Sequence, residues 1–271
     1  MKKVFLAMAA AAMIFAGCSK DDGSVKIIDN LAEKIIGKWL VADVDGQAAP
    51  TNEKAVLSFP SATKAYISTS RTNYSEEIAY WLNNREFDVE ISGNKLTLTG
   101  HINDRVTLVH EFVVTAIDDV QMSANYKRTR IVNGETEITS EQNVRFEKVT
   151  VDYSDAIHGM WEGRSTGAQG SEFDDGENHR WEYLLDGTFN YFHKVGGVWQ
   201  ISDDEFAQYF VDGNLLCTRW KNTGENTIEH REWWEISSIE NNTMNWTALR
   251  QREDGTTYTA TFQMTKVPAN K

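Results

Sequence analysis

Ile35-Ile36-Gly37-Lys38-Trp39-Leu40 and Ile157-His158-Gly159-Met160-Trp161-Glu162 carry the same Gly-x-Trp pattern, 122 residues apart. Each copy follows a short segment of helical character and precedes a long run of strand-like sequence. The correspondence continues downstream. Gly93-Asn94-Lys95-Leu96 answers to Gly213-Asn214-Leu215-Leu216, and Glu86-Phe87 ahead of the first answers to Glu205-Phe206 ahead of the second. Ile117, Asp119 and Met122 answer to Ile239, Asn241 and Met244, and Phe146-Glu147-Lys148-Val149 answers to Met264-Thr265-Lys266-Val267. Small drifts in offset are what loop insertions between fixed strands produce. A period of about 120 residues is too long for a solenoid or propeller repeat and is the size of one domain. The chain therefore reads as two similar domains in tandem, 35–150 and 151–271, with the seam between Lys148 and Asp155. Each half is expected to fold alone.

Within each half, period-two alternation dominates. Lys95-Leu96-Thr97-Leu98-Thr99, Arg105 to Phe112 and Tyr258 to Met264 place apolar side chains on one face only, as half-buried strands do. Turn signals punctuate both copies at Ser92-Gly93-Asn94, Asn133-Gly134, Asp186-Gly187, Asp212-Gly213-Asn214 and Asp254-Gly255, where Gly and Asn accept the positive φ of tight hairpins. Ahead of the first Gly-x-Trp, Ile27, Ile28, Leu31 and Ile35 share a helical face, with Asp29 or Asn30 as cap. Many short strands joined by hairpins make a meandering antiparallel sheet, and closure into a barrel removes its exposed edges.

A short helix, Gly-x-Trp, the Asp186-Gly187-Thr188-Phe189 hairpin, Gly-Asn-x-Leu and a last strand ending near Lys-Val resemble the lipocalin-like domains of Bacteroidetes lipoproteins. The resemblance covers nearly all of residues 35–150 and again 155–267. The first copy departs from it at Phe59-Pro60-Ser61-Ala62-Thr63, which stands in place of Asp-Gly-Thr. It implies an all-β fold of two tandem antiparallel up-and-down barrels, with Trp39 and Trp161 plugging the closed ends. It implies small-molecule binding only loosely.

The N-terminus is set apart from this fold. Lys2-Lys3 precedes an apolar, Ala-rich run from Val4 to Phe15, too short for a resident membrane helix. Phe15-Ala16-Gly17-Cys18 resembles the lipobox of bacterial lipoproteins, which implies removal of residues 1–17 and lipid on Cys18. Ser19-Lys20-Asp21-Asp22 resembles the surface-export tag of Bacteroidetes lipoproteins. Residues 18–34 then read as a lipidated tether and short helix, and the expected location is the outer membrane, facing outwards. The only membrane attachment expected is that lipid. Removing residues 1–17 leaves 25 basic against 40 acidic residues, a balance that repels nucleic acid and anionic headgroups. Cys217 is the only other cysteine, so once Cys18 is lipidated no internal disulfide is available.

Candidate chemistry is sparse. Gly163-Arg164-Ser165-Thr166-Gly167 matches the Gly-x-Ser-x-Gly of a nucleophile elbow but lacks the strand-turn-helix context, and reads as a Gly/Ser loop. The acidic run Glu172 to Glu177 lacks EF-hand register and reads as a solvated loop. The six histidines show no zinc spacing. Neither metal nor cofactor is expected, no catalytic residue is assigned, and Glu232 with His230 is the only acid–base pairing an enzyme would have to use.

The tryptophans are more informative: seven of the nine lie in the second half. If Leu216 faces inwards, so do Thr218 and Trp220. If Ile236 and Met244 do, so do Trp234, Glu232, His230 and Trp246. Phe189, Tyr191 and His193 share one face. Aromatic plates with a few polar groups make a small-molecule pocket, so Tyr191, His193, Trp220, His230, Glu232, Trp234 and Trp246 are the predicted ligand-binding set. In the first half, Leu108, His110, Phe112, Val114, Met122 and Ala124 are smaller and more aliphatic, and predict a filled barrel or spacer. The expected function is non-enzymatic binding of a small, partly apolar or sugar-like ligand in the second barrel. The alternative is an adhesion module with filled barrels whose partner is a protein or glycan. An open cavity above roughly 300 Å³ favours the first, and an exposed aromatic patch favours the second.

Overall fold

The computed structural model describes residues 27–70, 81–167, 176–224, 229–252 and 254–268, apart from the side chains of 137–139. Cys18 and the tether to Lys26 lie outside these residues, as does most of the acidic run from Glu172. The fold is all-β, and each half builds its own antiparallel sheet.

The first sheet comprises β1 (Gly37–Val44), β2 (Gln47–Ala48), β3 (Val56–Ser61), β4 (Lys64–Thr69), β5 (Leu82–Ser92), β6 (Lys95–Asn103), β7 (Val106–Ile117), β8 (Gln121–Val132) and β9 (Glu135–Val149). Neighbouring strands pair in order, and β9 returns to pair with β1, from Lys38↔Val149 to Val44↔Val144. Eight strands thus close into a barrel, with the short β2 hairpinned onto the far end of β1. Alternation works as expected: Leu108, Phe112, Val114, Met122 and Ala124 are all buried in the barrel core.

The second sheet repeats the plan with β10 (Gly159–Gly167), β11 (His179–Tyr183), β12 (Phe189–Val195), β13 (Val198–Ile201), β14 (Asp204–Asp212), β15 (Leu215–Asn222), β16 (His230–Glu240), β17 (Thr243–Gln251) and β18 (Thr257–Lys266). Here the ring is not fully laddered. β13 and β14 are the two ends of the sheet, and among the described residues the β12–β14 seam is stitched at Thr188↔Gln208, where Tyr209 N–H donates to the Gly187 carbonyl at 2.9 Å. Just before this stitch β14 bulges outwards around Phe206, which has φ 55°. A bulge of this kind bends a strand and ends pairing locally.

The two Gly-x-Trp segments fold alike. Trp39 and Trp161 are fully buried, and their indole N–H groups donate to the carbonyls of Ile35 (2.7 Å) and Ile157 (2.6 Å). Lys148 and Lys266 lie over the rings at 5.0 and 5.1 Å. Gly37 and Gly159 take φ of 120° and 110°, and a Cβ at either would press on that lysine's stem, so glycine is required twice for the same reason. The preceding segments differ. Leu31–Lys34 is a helix whose Asn30 cap position is left-handed and makes no side-chain cap, whereas Tyr153 to Ile157 forms only a turn closed by Ile157 N–H to the Tyr153 carbonyl. Gly163 to Gly167 is strand, not the loop expected. Gly163 sits so close to β18 that a Cβ would fall 1.9 Å from the Gln263 carbonyl oxygen, which explains its glycine without chemistry.

A third apolar cluster joins the halves. Leu40 and Val56 from the outer face of the first barrel pack with Phe210, Leu215 and Cys217 from the second, ringed by Trp81, Val149 and Trp233. Cys217 is a free, fully buried thiol, and burial pushes its pKa well up. Lys38 reaches across to the buried Asp212 at 2.7 Å and to Asp152 at 2.5 Å, Lys54 pairs with Glu235 at 2.7 Å, and the Trp233 indole donates to the Ser70 carbonyl at 2.9 Å.

Candidate functional site

The second barrel holds a cavity of about 180 Å³ lined by Trp181, Phe189, Tyr191, Ser202, Asp204, Thr218, Trp220, Asn222 and Glu232. The first barrel keeps only about 50 Å³, room for one or two waters, above Phe112, Val144 and Phe146.

The duplication explains the difference residue by residue. Aligning the two structures on the hairpins at Gly93 (φ 58°) and Gly213 (φ 63°) pairs Ile91 with Val211, Val89 with Tyr209, Leu96 with Leu216 and Leu98 with Thr218. Continuing the count sets Phe87 against Ala207 and Gly100 against Trp220. In the first barrel the Phe87 ring lies over Gly100, where a Cβ would be 2.4 Å from it, and fills the interior. In the second barrel the plate has moved to the neighbouring strand and Ala207 leaves the space open. The expected counterpart Phe206 is not the partner of Phe87; it is 71 % exposed, because the bulge reverses the parity of β14 before Ala207.

Of the predicted set, Tyr191, Trp220 and Glu232 line the cavity. His230 braces it from behind, stacked on Trp220 at 5.5 Å between ring centroids and within 3.2 Å of Asn222 Nδ2. His193 lies one pleat beyond Tyr191, with ring centroids 6.3 Å apart, and is not part of the lining. Trp234 and Trp246 also lie outside the lining. They are 1 % and 2 % exposed and pack on each other and on Phe262 at 5.3–6.1 Å, so they form core beneath the cavity. Phe189 and Thr218, expected to face inwards but outside the predicted set, join the lining, and Trp181, Ser202, Asp204 and Asn222 complete it without sequence expectation. Asn222 continues the inward parity of Thr218 and Trp220 along β15 and was accessible to the same argument. Ser202 lies where the chain crosses between strands, and Asp204 opens β14 on the far side of the bulge, so alternation carries no signal for either.

Ionisable and polar side chains converge on this cavity. Burial pushes the Asp204 carboxyl above its ordinary pKa, although the Ser202 hydroxyl and the facing His230 and His193 pull it down. Glu232 has Arg250 at 3.7 Å, and that guanidinium lies over Trp234 at 4.5 Å. Thr218, directly across from Glu232 in the β15–β16 pair, is 3 % exposed, and its hydroxyl has no hydrogen-bond partner among the described residues. The Tyr183 hydroxyl and Trp246 indole N–H are in the same condition nearby. Each such group costs about 1–3 kcal/mol when left unsatisfied. Leu98, the counterpart of Thr218, has no such cost.

Neither a scan against protein-family models nor a search of curated proteins finds a match to this chain. The site must therefore be read from its own geometry.

Proposed function

We propose that the protein is a lipid-anchored, surface-exposed binding protein, similar in plan to the lipocalin-like lipoproteins of Bacteroidetes. Its second barrel takes a small ligand and its first serves as a filled spacer. The observation that carries the reading is the cavity of about 180 Å³ between Trp181, Tyr191 and Trp220, set against about 50 Å³ inside the first barrel. It is smaller than the roughly 300 Å³ at which drug-sized ligand sites begin, and it matches a ligand of one ring, since a cavity of about 150 Å³ accommodates benzene. Glu232 is faced by the Arg250 guanidinium at 3.7 Å, which supports reading it as a binding group, and the reading offered is binding without catalysis.

Trp220 is the residue to test, because it lines the cavity and is only partly buried. Trp220→Ala should abolish saturable ligand-induced quenching of tryptophan fluorescence while lowering the thermal midpoint by only a few degrees. Unchanged binding in this variant would remove the cavity from consideration.

The anchor rests on Cys18 and the residues around it. Cys18→Ala should lose acyl labelling and detergent partitioning, because no other attachment is proposed. A variant that still fractionates with membranes after a high-salt wash would contradict the anchor.

The adhesion reading draws on a different observation. Val195, Val198, Ile201 and Phe206 are exposed around the unpaired edge of β13. If Val198→Lys abolished attachment to a protein or glycan surface while Trp220→Ala left it intact, adhesion would be the better reading.

A further inference from the structure

We propose that the ligand of the second barrel is an uncharged, hydroxylated ring of monosaccharide size, held by the Thr218 hydroxyl at depth and by Asp204 and Asn222 at the mouth. This rests on the binding function proposed above and specifies its ligand class. Three properties of the cavity point to that class.

Size comes first. About 180 Å³ has room for one six-membered ring and is too small for a long acyl chain, although four of the nine lining residues are aromatic. Charge comes second. Asp204 and Glu232 both line the cavity, and a ligand anion would meet two carboxylates. A cation would meet Asp204, but Glu232 is already faced by Arg250 at 3.7 Å, so the cavity offers it one carboxylate and a nearby guanidinium instead of a bare acidic pair. Neutral hydroxyls suit both acids, because a carboxylate accepts hydrogen bonds through two oxygens without needing a counter-charge.

The third property is the buried hydroxyl. Thr218 replaces the fully buried Leu98 of the first barrel, at the same position in the sheet. A threonine at a leucine's place, buried and without a hydrogen-bond partner among the described residues, weakens the fold unless something brought into the cavity bonds to it. A ligand hydroxyl can both donate to and accept from it. Two residues along the same strand stands Trp220, steadied on one side by His230 and met edge-on by Phe189 at 6.3 Å, and it offers a plate to the apolar face of a ring. Asn222, across from Asp204, then supplies a donor and an acceptor at the mouth. Aromatic plate and hydrogen-bonding groups therefore alternate along β15 in the order Thr218, Trp220, Asn222.

The test titrates the full chain with methyl α-glucoside, methyl α-galactoside and myo-inositol, and in parallel with benzyltrimethylammonium, benzoate and decanoate, following tryptophan fluorescence and heat. At least one polyol should bind saturably. Thr218→Val, nearly the same in shape, should weaken that binding about tenfold while leaving the thermal midpoint unchanged or higher, since an unsatisfied hydroxyl is gone. Asp204→Asn should weaken it by a similar factor. If the ammonium, the benzoate or the decanoate binds and no polyol does, the ligand class is wrong and the binding function stands. If no probe of any class perturbs the protein, the binding function falls with it. A polyol that binds equally well to wild type and Thr218→Val would also overturn the assignment, because the hydroxyl that defines it would have no part.

Discussion

Trp234→Ala should cost the protein about 3–5 kcal/mol, the range for removing a large aromatic side chain from a packed core. Trp234 is 1 % exposed and rests on Trp246 and Phe262, with the Arg250 guanidinium over its other face. The cavity left behind has no way to close, because strands β15 to β18 hold its walls in ladder register. Arg250 would lose its aromatic partner as well. A thermal melt should show the midpoint falling on the order of 10 °C or more. Trp220→Ala, one strand away, removes a ring of the same size from a wall of the open cavity and should cost far less. Equal destabilisation by the two substitutions would mean that Trp220 is also packed core and that the space beside it is not a site.

The second large effect is expected at the join between the barrels. Lys38→Met should also destabilise by about 3–5 kcal/mol, because it leaves the fully buried Asp212 carboxylate without its cation. The loss is specific to the broken pair. Adding Asp212→Asn to Lys38→Met should recover most of the stability, since removing both charges spares the burial of an unpaired one. Acid denaturation gives a further check. Asp152 is partly buried, which raises its pKa, but its bonds to Lys38 and Ser154 prevail and hold it below the ordinary carboxylate value. Its contribution is therefore present above that value and lost as pH falls through the depressed one. Lys38→Met should flatten this part of the stability profile. Monitoring both variants by denaturant unfolding also bears on whether 35–150 and 151–271 fold alone. The apolar cluster of Leu40, Val56, Phe210 and Leu215 is shared, so a single cooperative transition for the whole chain is the expected result. Two separated transitions would show that the join contributes little.

Much of this architecture was legible in the sequence for identifiable reasons. Gly37 and Gly159 stand where a positive φ and a lysine stem exclude any side chain, and Trp39 and Trp161 make the same bond to the residue four before, so the duplication survives as a pattern of letters. The hairpin glycines and the inward parity of β7, β8 and β15 to β18 were equally readable. Three of the predicted ligand residues, Tyr191, Trp220 and Glu232, lie on the cavity. The failures have a common physical cause. Parity tells which face a side chain takes but not how deep along the barrel it sits, so Trp234 and Trp246 were grouped with a cavity that ends above them. A bulge is also invisible to alternation. The extra residue near Phe206 breaks the match with Phe87, and with it went Ala207, whose small size opens the barrel, and Asp204, which the displaced chain brings to the mouth.

The most direct test of the second barrel as a binding site is a ¹⁵N–¹H spectrum of the tryptophan indoles during titration with methyl α-glucoside, methyl α-galactoside and myo-inositol. The nine indoles report separately on the plugs, the core, the join and the cavity. The expected result is a saturable shift of the Trp181 and Trp220 signals, with Trp39 and Trp161, buried under Lys148 and Lys266, unmoved. Static Trp181 and Trp220 signals throughout, or shifts confined to Trp199 on the outer β13 hairpin, would contradict a ligand in the second barrel.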